Sequence, residues 1–193
     1  EEGPAFASVL DTAEALGAPV VRVWAGSTAS ASTPDSERAR LVERARAHGE
    51  AARARGVRIA FEYHRGTLTD TNESAGELLR EIGHPSVGSL WQPPHGCTPE
   101  ECLEGLRLVQ PYLEHVHCFH WGPEGGADKR PLAEGADRWA RYLAELERVT
   151  PSQTPRWVLM EFVPSGELDA FARDAAVLRG WIERGRARSG GAW

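Results

Sequence analysis

Short apolar runs alternate with longer amphipathic stretches along this chain, and each run has the length of a strand. The first run, APVVRVWAG, predicts a buried strand that ends near Trp24, and the second, VRIAFEYH, places Glu62 and His64 at its end. Three more runs share this form, so the sequence predicts five strands in all. They lie near residues 18–24, 57–63, 87–91, 115–119 and 156–163.

A helix is predicted before the first strand and after every strand. Thr33-Pro34 and Thr98-Pro99 offer N-caps followed by a proline at the first helical position, and Glu101 completes a capping box with Thr98. Glycines end several of the predicted helices. The helices are expected at about 5–16, 35–55, 72–82, 99–111, 137–148 and 167–184.

This alternation predicts an α/β fold with parallel strands and right-handed crossovers. A doubly wound sheet that binds a dinucleotide would carry a glycine-rich phosphate turn after its first strand, and AGSTASAS (25–32) has no such pattern. A barrel explains better why polar residues end several different strands. We therefore expect residues 1–193 to form a single (β/α) barrel-type domain.

Composition and charge exclude several classes of function. The net charge of −6 argues against a protein that binds the nucleic-acid backbone, which requires clustered lysine and arginine. The three cysteines are too few for a disulfide framework, which favours a reducing cytoplasm. No apolar run approaches the roughly 20 residues of a membrane span, and the start EEGPAFASVL is acidic where a signal peptide is basic. We expect a cytoplasmic protein that binds a small polar substrate, with no nucleic-acid or membrane partner.

Two glutamates within apolar strands are the first candidates for chemistry. Burying an unpaired carboxylate costs several kcal/mol, so Glu62 and Glu161 each require a metal ion, an arginine or a functional cavity. The structural alternative is an ion pair with an inward arginine such as Arg22 or Arg58. Because the carboxyl ends of parallel strands meet at one mouth, a functional role is the favoured interpretation.

Other polar and aromatic residues follow the same strand ends. His117 lies on a strand between the two that carry the glutamates, which favours a ligand over a core histidine. The alternatives for the rest are surface histidines, turn chemistry at Pro93-Pro94, a surface charge pair for Lys129 and Arg130, and core packing for the tryptophans. The predicted substrate contacts are His64, His95, His120, Arg130, Trp24 and Trp121.

The chain resembles the sugar phosphate isomerase/epimerase group of the xylose isomerase-like TIM barrels, which includes inosose dehydratases, ketose 3-epimerases and endonuclease-IV-like proteins. The resemblance covers about residues 15 to 182. It rests on AFEYH (60–64), VGSLWQPPHG (87–96), HVHCFHW (115–121), RPLAEGADRWARYL (130–143) and VLMEF (158–162).

This resemblance implies one divalent metal ion, Mn²⁺, Mg²⁺, Co²⁺ or Zn²⁺, bound by Glu62, Gln92, His117 and Glu161. His95 matches a family histidine, and the two glutamates would also move protons. Gln92 departs from the family's aspartate, and an amide oxygen offers a cation only a dipole. By this resemblance three βα units of a complete barrel are expected to be absent, which would leave the edge strands open. Either self-association into a homo-oligomer or further residues upstream of this sequence would cover them.

The expected activity is isomerisation or epimerisation of a small sugar or sugar derivative by proton abstraction next to a carbonyl. One alternative is dehydration of a keto-inositol, which begins with the same abstraction. Another is a family member that binds a sugar without turnover, given Gln92 and the missing units. A phosphodiester-cleaving activity would need more metal ligands and a basic groove.

Overall fold

Strands and helices alternate from Phe6 onward in a computed structural model that describes residues 5–148 and 156–189. In this part of the chain every predicted strand and helix is present. The strands are β1 Val20–Val23, β2 Arg58–Glu62, β3 Val87–Trp91, β4 Leu113–Cys118 and β5 Trp157–Met160. The longer helices are α1 Phe6–Leu16, α2 Asp35–Arg53, α3 Asn72–Ile82, α4 Pro99–Val109, α5 Ala136–Leu146 and α6 Leu168–Ser189.

The five parallel strands form one sheet in chain order, β1-β2-β3-β4-β5, as the helix between each pair of strands requires. Arg22 pairs in register with Ala60, and Glu62 pairs with Leu90. Side chains at paired positions of parallel strands lie on the same face, and so do residues two apart. Arg22, Ala60 and Glu62 therefore share one face of the sheet.

Helix ends follow the capping signals in the sequence. The side chain of Thr71 accepts a hydrogen bond from the backbone N–H of Ser74 at the start of α3. Before α4, Thr98 and Glu101 form the predicted reciprocal box: Oγ1 of Thr98 accepts from the Glu101 N–H at 3.2 Å, and Oε2 of Glu101 accepts from the Thr98 N–H at 2.7 Å. Local sequence thus determines where these helices begin.

The outer strands are less buried than the inner ones. Every residue of β3 and β4 is buried, as is β2 after Arg58. The prediction of a buried first strand is wrong, because the three valines of β1 are only half-buried and Arg22 is exposed. In β5, Trp157 is 55% exposed. Among the strands that the structure describes, β1 and β5 are the first and last of the sheet, and each pairs with a described strand on one side.

A buried ion pair lies at the start of β2. Nε of Arg58 donates to Oε1 of Glu114 across 2.7 Å, and Glu114 is 3% exposed. A Cβ atom on Gly88 would lie 2.7 Å from the same carboxylate oxygen, so only glycine leaves room for it there. Arg58, one possible partner of Glu62, is thus committed to Glu114.

The chain divides into two compact units. The first comprises residues up to Pro94 together with Leu108–His115, and the second comprises His95–Arg107 and the residues from Val116 onward. That the whole chain is a single domain stays a prediction. No helix within the described ranges combines the length and apolar character that a bilayer crossing requires.

Candidate functional site

Glu62 in the first unit is a buried carboxylate held by two donors from the neighbouring strand. It is the last residue of β2 and only 1% exposed. Its Oε2 accepts a hydrogen bond from Nε1 of Trp24 at 2.6 Å and a second from Nη1 of Arg22. The arginine neutralises the buried charge, as the ion-pair interpretation requires, while half of the Arg22 side chain is exposed.

Trp24 and His64 form an aromatic pair beside this carboxylate. Their ring centroids are 4.2 Å apart with 28° between the planes, and Cζ of Arg22 lies 6.0 Å from the centroid of the Trp24 ring. Trp24 is 53% exposed. The structure thus brings Trp24 and His64 together at the end of β2, and their role as substrate contacts stays a prediction. The sequence analysis did not predict the hydrogen bond from Trp24 to Glu62. Its one signal in the sequence was the strand face that Arg22 and Glu62 share.

Gln92 follows β3 and is oriented by the backbone of β2. Its Nε2 donates to the carbonyl oxygen of Tyr63 at 2.5 Å, and the residue is 9% exposed. An amide binds a cation only through its oxygen. This hydrogen bond therefore orients the amide of Gln92 through Nε2, and Oε1 is the atom that a cation would bind.

In the second unit, His117 and Glu161 come together at the ends of β4 and β5. Nδ1 of His117 lies 3.3 Å from Oε2 of Glu161. The backbone N–H of Glu161 donates to the carbonyl of Cys118, which fixes the position of Glu161 beside β4. His117 is 8% exposed, and the Glu161 side chain is one-quarter exposed. The imidazole nitrogen of His117 is a ligand that divalent transition metals prefer, and the carboxylate oxygen of Glu161 is one that Mg²⁺ and Mn²⁺ prefer.

The glycine-rich loop after β4 is ordered by its own side chains. Trp121 pairs with Lys129 in an isolated antiparallel bridge. Arg130 donates from Nε and Nη2 to the two carboxylate oxygens of Asp128 at 3.0 and 2.9 Å, which lowers the pKa of Asp128. The predicted substrate role of Arg130 stays a prediction, but its guanidinium already has a partner two residues away.

Aromatic rings line the end of this loop. The rings of Phe119, Trp121 and Phe162 have centroid separations between 4.3 and 5.3 Å. The His95 ring is 6.2 Å from that of Trp121, and a Cβ atom on Gly125 would lie 1.9 Å from Nε2 of His95. The structure therefore brings together two predicted substrate contacts, His95 and Trp121.

His120 lies between this loop and the turn before α5. Its ring packs against Gly135, where an added Cβ atom would come within 2.8 Å of Nδ1. Burial lowers the pKa of His120, and the nearby charge of Arg138 lowers it further. A neutral imidazole can both donate and accept a hydrogen bond, which a contact to a sugar hydroxyl requires.

Comparison with known proteins identifies the fold. Residues 5–180 match the family described as Xylose isomerase-like TIM barrel. A 3-dehydroshikimate dehydratase from Bacillus anthracis is 32% identical over 103 residues, which is 50% of this chain and 35% of that protein. The aligned part thus spans about one-third of the length of this curated relative.

Solved structures share the fold at lower identity. The probable 3-DHS dehydratase AsbF from Bacillus anthracis has a TM-score of 0.77 at 21% identity, over 90% of this chain and 68% of that one. A xylose isomerase-like TIM barrel protein from Mycobacterium smegmatis, in complex with magnesium, gives 0.71 at 20% identity over 93% and 66%. A D-tagatose 3-epimerase-like protein gives 0.67 at 18% over 93% and 68%.

Proposed function

Because the chain belongs to the xylose isomerase-like TIM barrel family, we propose that it is a metal-dependent isomerase or epimerase of a small sugar or sugar derivative. The observation that carries the proposal is the pairing of His117 Nδ1 with Glu161 Oε2 in the second unit. A solvent-accessible carboxylate beside a buried imidazole at two adjacent strand ends is what a cation site requires.

The proposed metal ligands are Glu62, His117 and Glu161, each of which can offer one ligand atom, with Gln92 or His95 completing the set. Their chemistry fits a divalent cation, since two carboxylates supply negative charge and an imidazole supplies a borderline nitrogen. The structural relative that was solved in complex with magnesium supports a divalent cation. The ion, once bound, would polarise the carbonyl and hydroxyl oxygens of the substrate.

The two glutamates are the proposed acid and base. Glu62 would remove the proton from the carbon next to the carbonyl, and Glu161 would return a proton to the adjacent position or to the opposite face. General acid–base groups of this kind contribute about 10²–10⁴-fold to the rate.

Side chains at the same strand ends would hold the sugar. In the first unit Trp24 and His64 offer an apolar face and a hydrogen-bonding edge. In the second unit Trp121 offers a ring, and His95, His120 and Arg130 offer polar groups. Such a set suits a ligand that is apolar on its C–H face and polar at its rim, as sugars are.

Dehydration is the second candidate reaction, and the 3-dehydroshikimate dehydratase relative favours it. Loss of water from a carbon β to a carbonyl begins with the same α-proton abstraction, so Glu62 and Glu161 would keep their roles. A keto-inositol is one substrate class for this alternative. Binding of a sugar without turnover is the non-enzymatic alternative.

Exchange of substrate protons with deuterated solvent tests these functions. Wild-type protein loaded with Mn²⁺ or Mg²⁺ should label D-tagatose and form an epimer, or should label 3-dehydroshikimate and release one water, as followed by NMR and mass spectrometry. Glu62→Gln and Glu161→Gln should each abolish labelling while keeping an oxygen ligand. Wild-type exchange rates in both variants would show that proton transfer takes place elsewhere.

A further inference from the structure

The structure offers a more specific role for the first strand. Two donors to Glu62 come from β1 and the residue after it: Arg22 through Nη1 and Trp24 through Nε1 at 2.6 Å. Both reach the same oxygen, Oε2. We propose that Arg22 and Trp24 are positioning residues that hold the Glu62 carboxylate, through Oε2, in the orientation in which it would bind the cation. This inference rests on the metal site proposed above.

The geometry of β1 accounts for the convergence. Arg22 and Trp24 are two residues apart, so their side chains leave the strand on the same face. The register pairs Arg22 with Ala60, two residues before Glu62, which places both donors beside the end of β2. A parallel neighbour therefore delivers two N–H groups to one carboxylate without any loop.

The position of the Trp24 indole is itself fixed. Its ring stacks on His64, and the Arg22 guanidinium lies 6.0 Å from its centroid. Glu62 is 1% exposed, so its carboxylate depends on protein donors for the hydrogen bonds that water supplies elsewhere. Two donors on one oxygen fix the rotation of the carboxylate, and fixed ligands bind metals more tightly than mobile ones. Removing such a supporting group typically lowers metal affinity or activity about 10–100-fold.

Trp24→Phe is the direct test, because it removes the N–H group and keeps an aromatic ring on His64. Titration of the metal-free protein with Mn²⁺ by calorimetry should show unchanged stoichiometry and affinity lowered about tenfold or more. Trp181→Phe makes the same chemical change in α6 and should leave the affinity at the wild-type value. Arg22→Lys, which keeps the charge and loses the planar guanidinium, should also weaken binding.

A double-mutant cycle separates positioning from an independent role. In a Glu62→Ala background, adding Trp24→Phe should change Mn²⁺ affinity by less than about twofold, because the side chain that Trp24 holds is gone. Kinetics add a second criterion. Trp24→Phe, which removes only the N–H group, should lower kcat and leave KM unchanged. Trp24→Leu also removes the ring, so it should raise KM as well if the ring contacts substrate.

Two outcomes would overturn the inference in distinguishable ways. If wild-type protein binds Mn²⁺ and Trp24→Phe binds it equally well, the positioning role is wrong and the proposed function stands. Wild-type protein that binds no divalent cation would overturn the proposed function and this inference together. Equal effects of Trp24→Phe with and without Glu62 would also overturn it, since the tryptophan would then act independently.

Discussion

In the second unit, Nδ1 of His117 lies 3.3 Å from Oε2 of Glu161. A histidine inside a buried strand usually satisfies its nitrogens with backbone or hydroxyl groups. Here one nitrogen faces the carboxylate of Glu161, which directly follows the next strand, and a cation between or beside them would use both groups.

Replacing His117 should therefore remove the nitrogen ligand. We expect His117→Ala to lower the affinity for Mn²⁺ or Zn²⁺ at least about tenfold, since even supporting residues contribute that much. His84→Ala is the matched control, because Nε2 of His84 pairs with Glu50 on the helical surface. Elemental analysis and calorimetry of both variants check the prediction, and equal metal content in the two would contradict it.

Gln92→Asp should strengthen metal binding if residue 92 is a ligand. The substitution adds a negative charge at the position where the family has an aspartate, and it removes the Nε2 donor to the Tyr63 carbonyl. The lost hydrogen bond is expected to lower the free energy of unfolding of the metal-free protein by about 1–3 kcal/mol. Calorimetry and urea unfolding measure the two effects separately.

Gln92→Asn is the control for this experiment, since it keeps an amide and shortens the side chain. If the aspartate variant binds the metal no more tightly than wild type does, Gln92 is not a metal ligand.

Sequence periodicity predicted the fold because it depends on local patterns. VRIAFEYH has an apolar alternation that permits only a strand, and the Thr98–Glu101 box determines where α4 begins. The burial of β1 was wrongly predicted because three valines look alike at an edge and in the centre of a sheet. Burial depends on neighbours, which the local pattern does not contain.

The sequence nominates residues for the candidate site, which stay predictions, but it does not determine their partners. Arg22 and Arg58 were equally good candidates to pair with Glu62, and only the fold directs Arg58 to Glu114. Arg130 was expected at a substrate, but Asp128, two residues before it, binds the guanidinium at both oxygens. Partner choice depends on rotamers and register, and several choices satisfy the same sequence.

Gly125→Ala should disturb His95 specifically. A Cβ atom at residue 125 would lie 1.9 Å from Nε2 of His95, and the φ angle of 65° is one that alanine rarely adopts. At the adjacent Gly126, an added Cβ atom would meet Trp121 at 3.5 Å, which is an ordinary contact. If His95 contacts substrate, Gly125→Ala should raise KM severalfold, and Gly126→Ala should leave it near wild type. Equal KM values in the two variants, both folded by circular dichroism, would argue against a role for His95.

The exposed side of β5 provides a test of the predicted self-association. Trp157 and Leu159 are 55% and 38% exposed and occupy alternate positions of the last strand in the sheet. Apolar side chains on an edge strand favour pairing with another copy. We expect the chain to sediment as a homo-oligomer at high concentration and Trp157→Lys to shift it toward monomer. A monomeric wild-type profile at every concentration would contradict the prediction, and Arg173→Lys in α6 controls for surface substitution.

Acidic pH should destabilise the fold in part through His120. Burial lowers the pKa of this histidine in the folded protein, with Arg138 and Arg130 also lowering it and Glu134 and Asp128 opposing them. The unfolded chain keeps an ordinary histidine pKa of about 6.5, so it binds more protons than the folded state as the pH falls through that value. The contribution of His120 to stability is therefore present above about pH 6.5 and is lost below it, down to the folded pKa.

Urea unfolding measures this effect. A chelator is added so that metal binding does not contribute to the measured stability. The urea concentration at the unfolding midpoint of the wild-type protein should decrease as the pH is lowered from about 7.5 to about 5.5. The midpoint of His120→Asn should decrease less. His48→Asn provides a comparison in the first unit, where burial also lowers the pKa of the histidine, and its effect should add to that of His120→Asn. If the midpoint of His120→Asn decreases as much as that of wild type, protonation of His120 is not coupled to unfolding. The interpretation of a neutral His120 as a contact to a sugar hydroxyl would then lose its support.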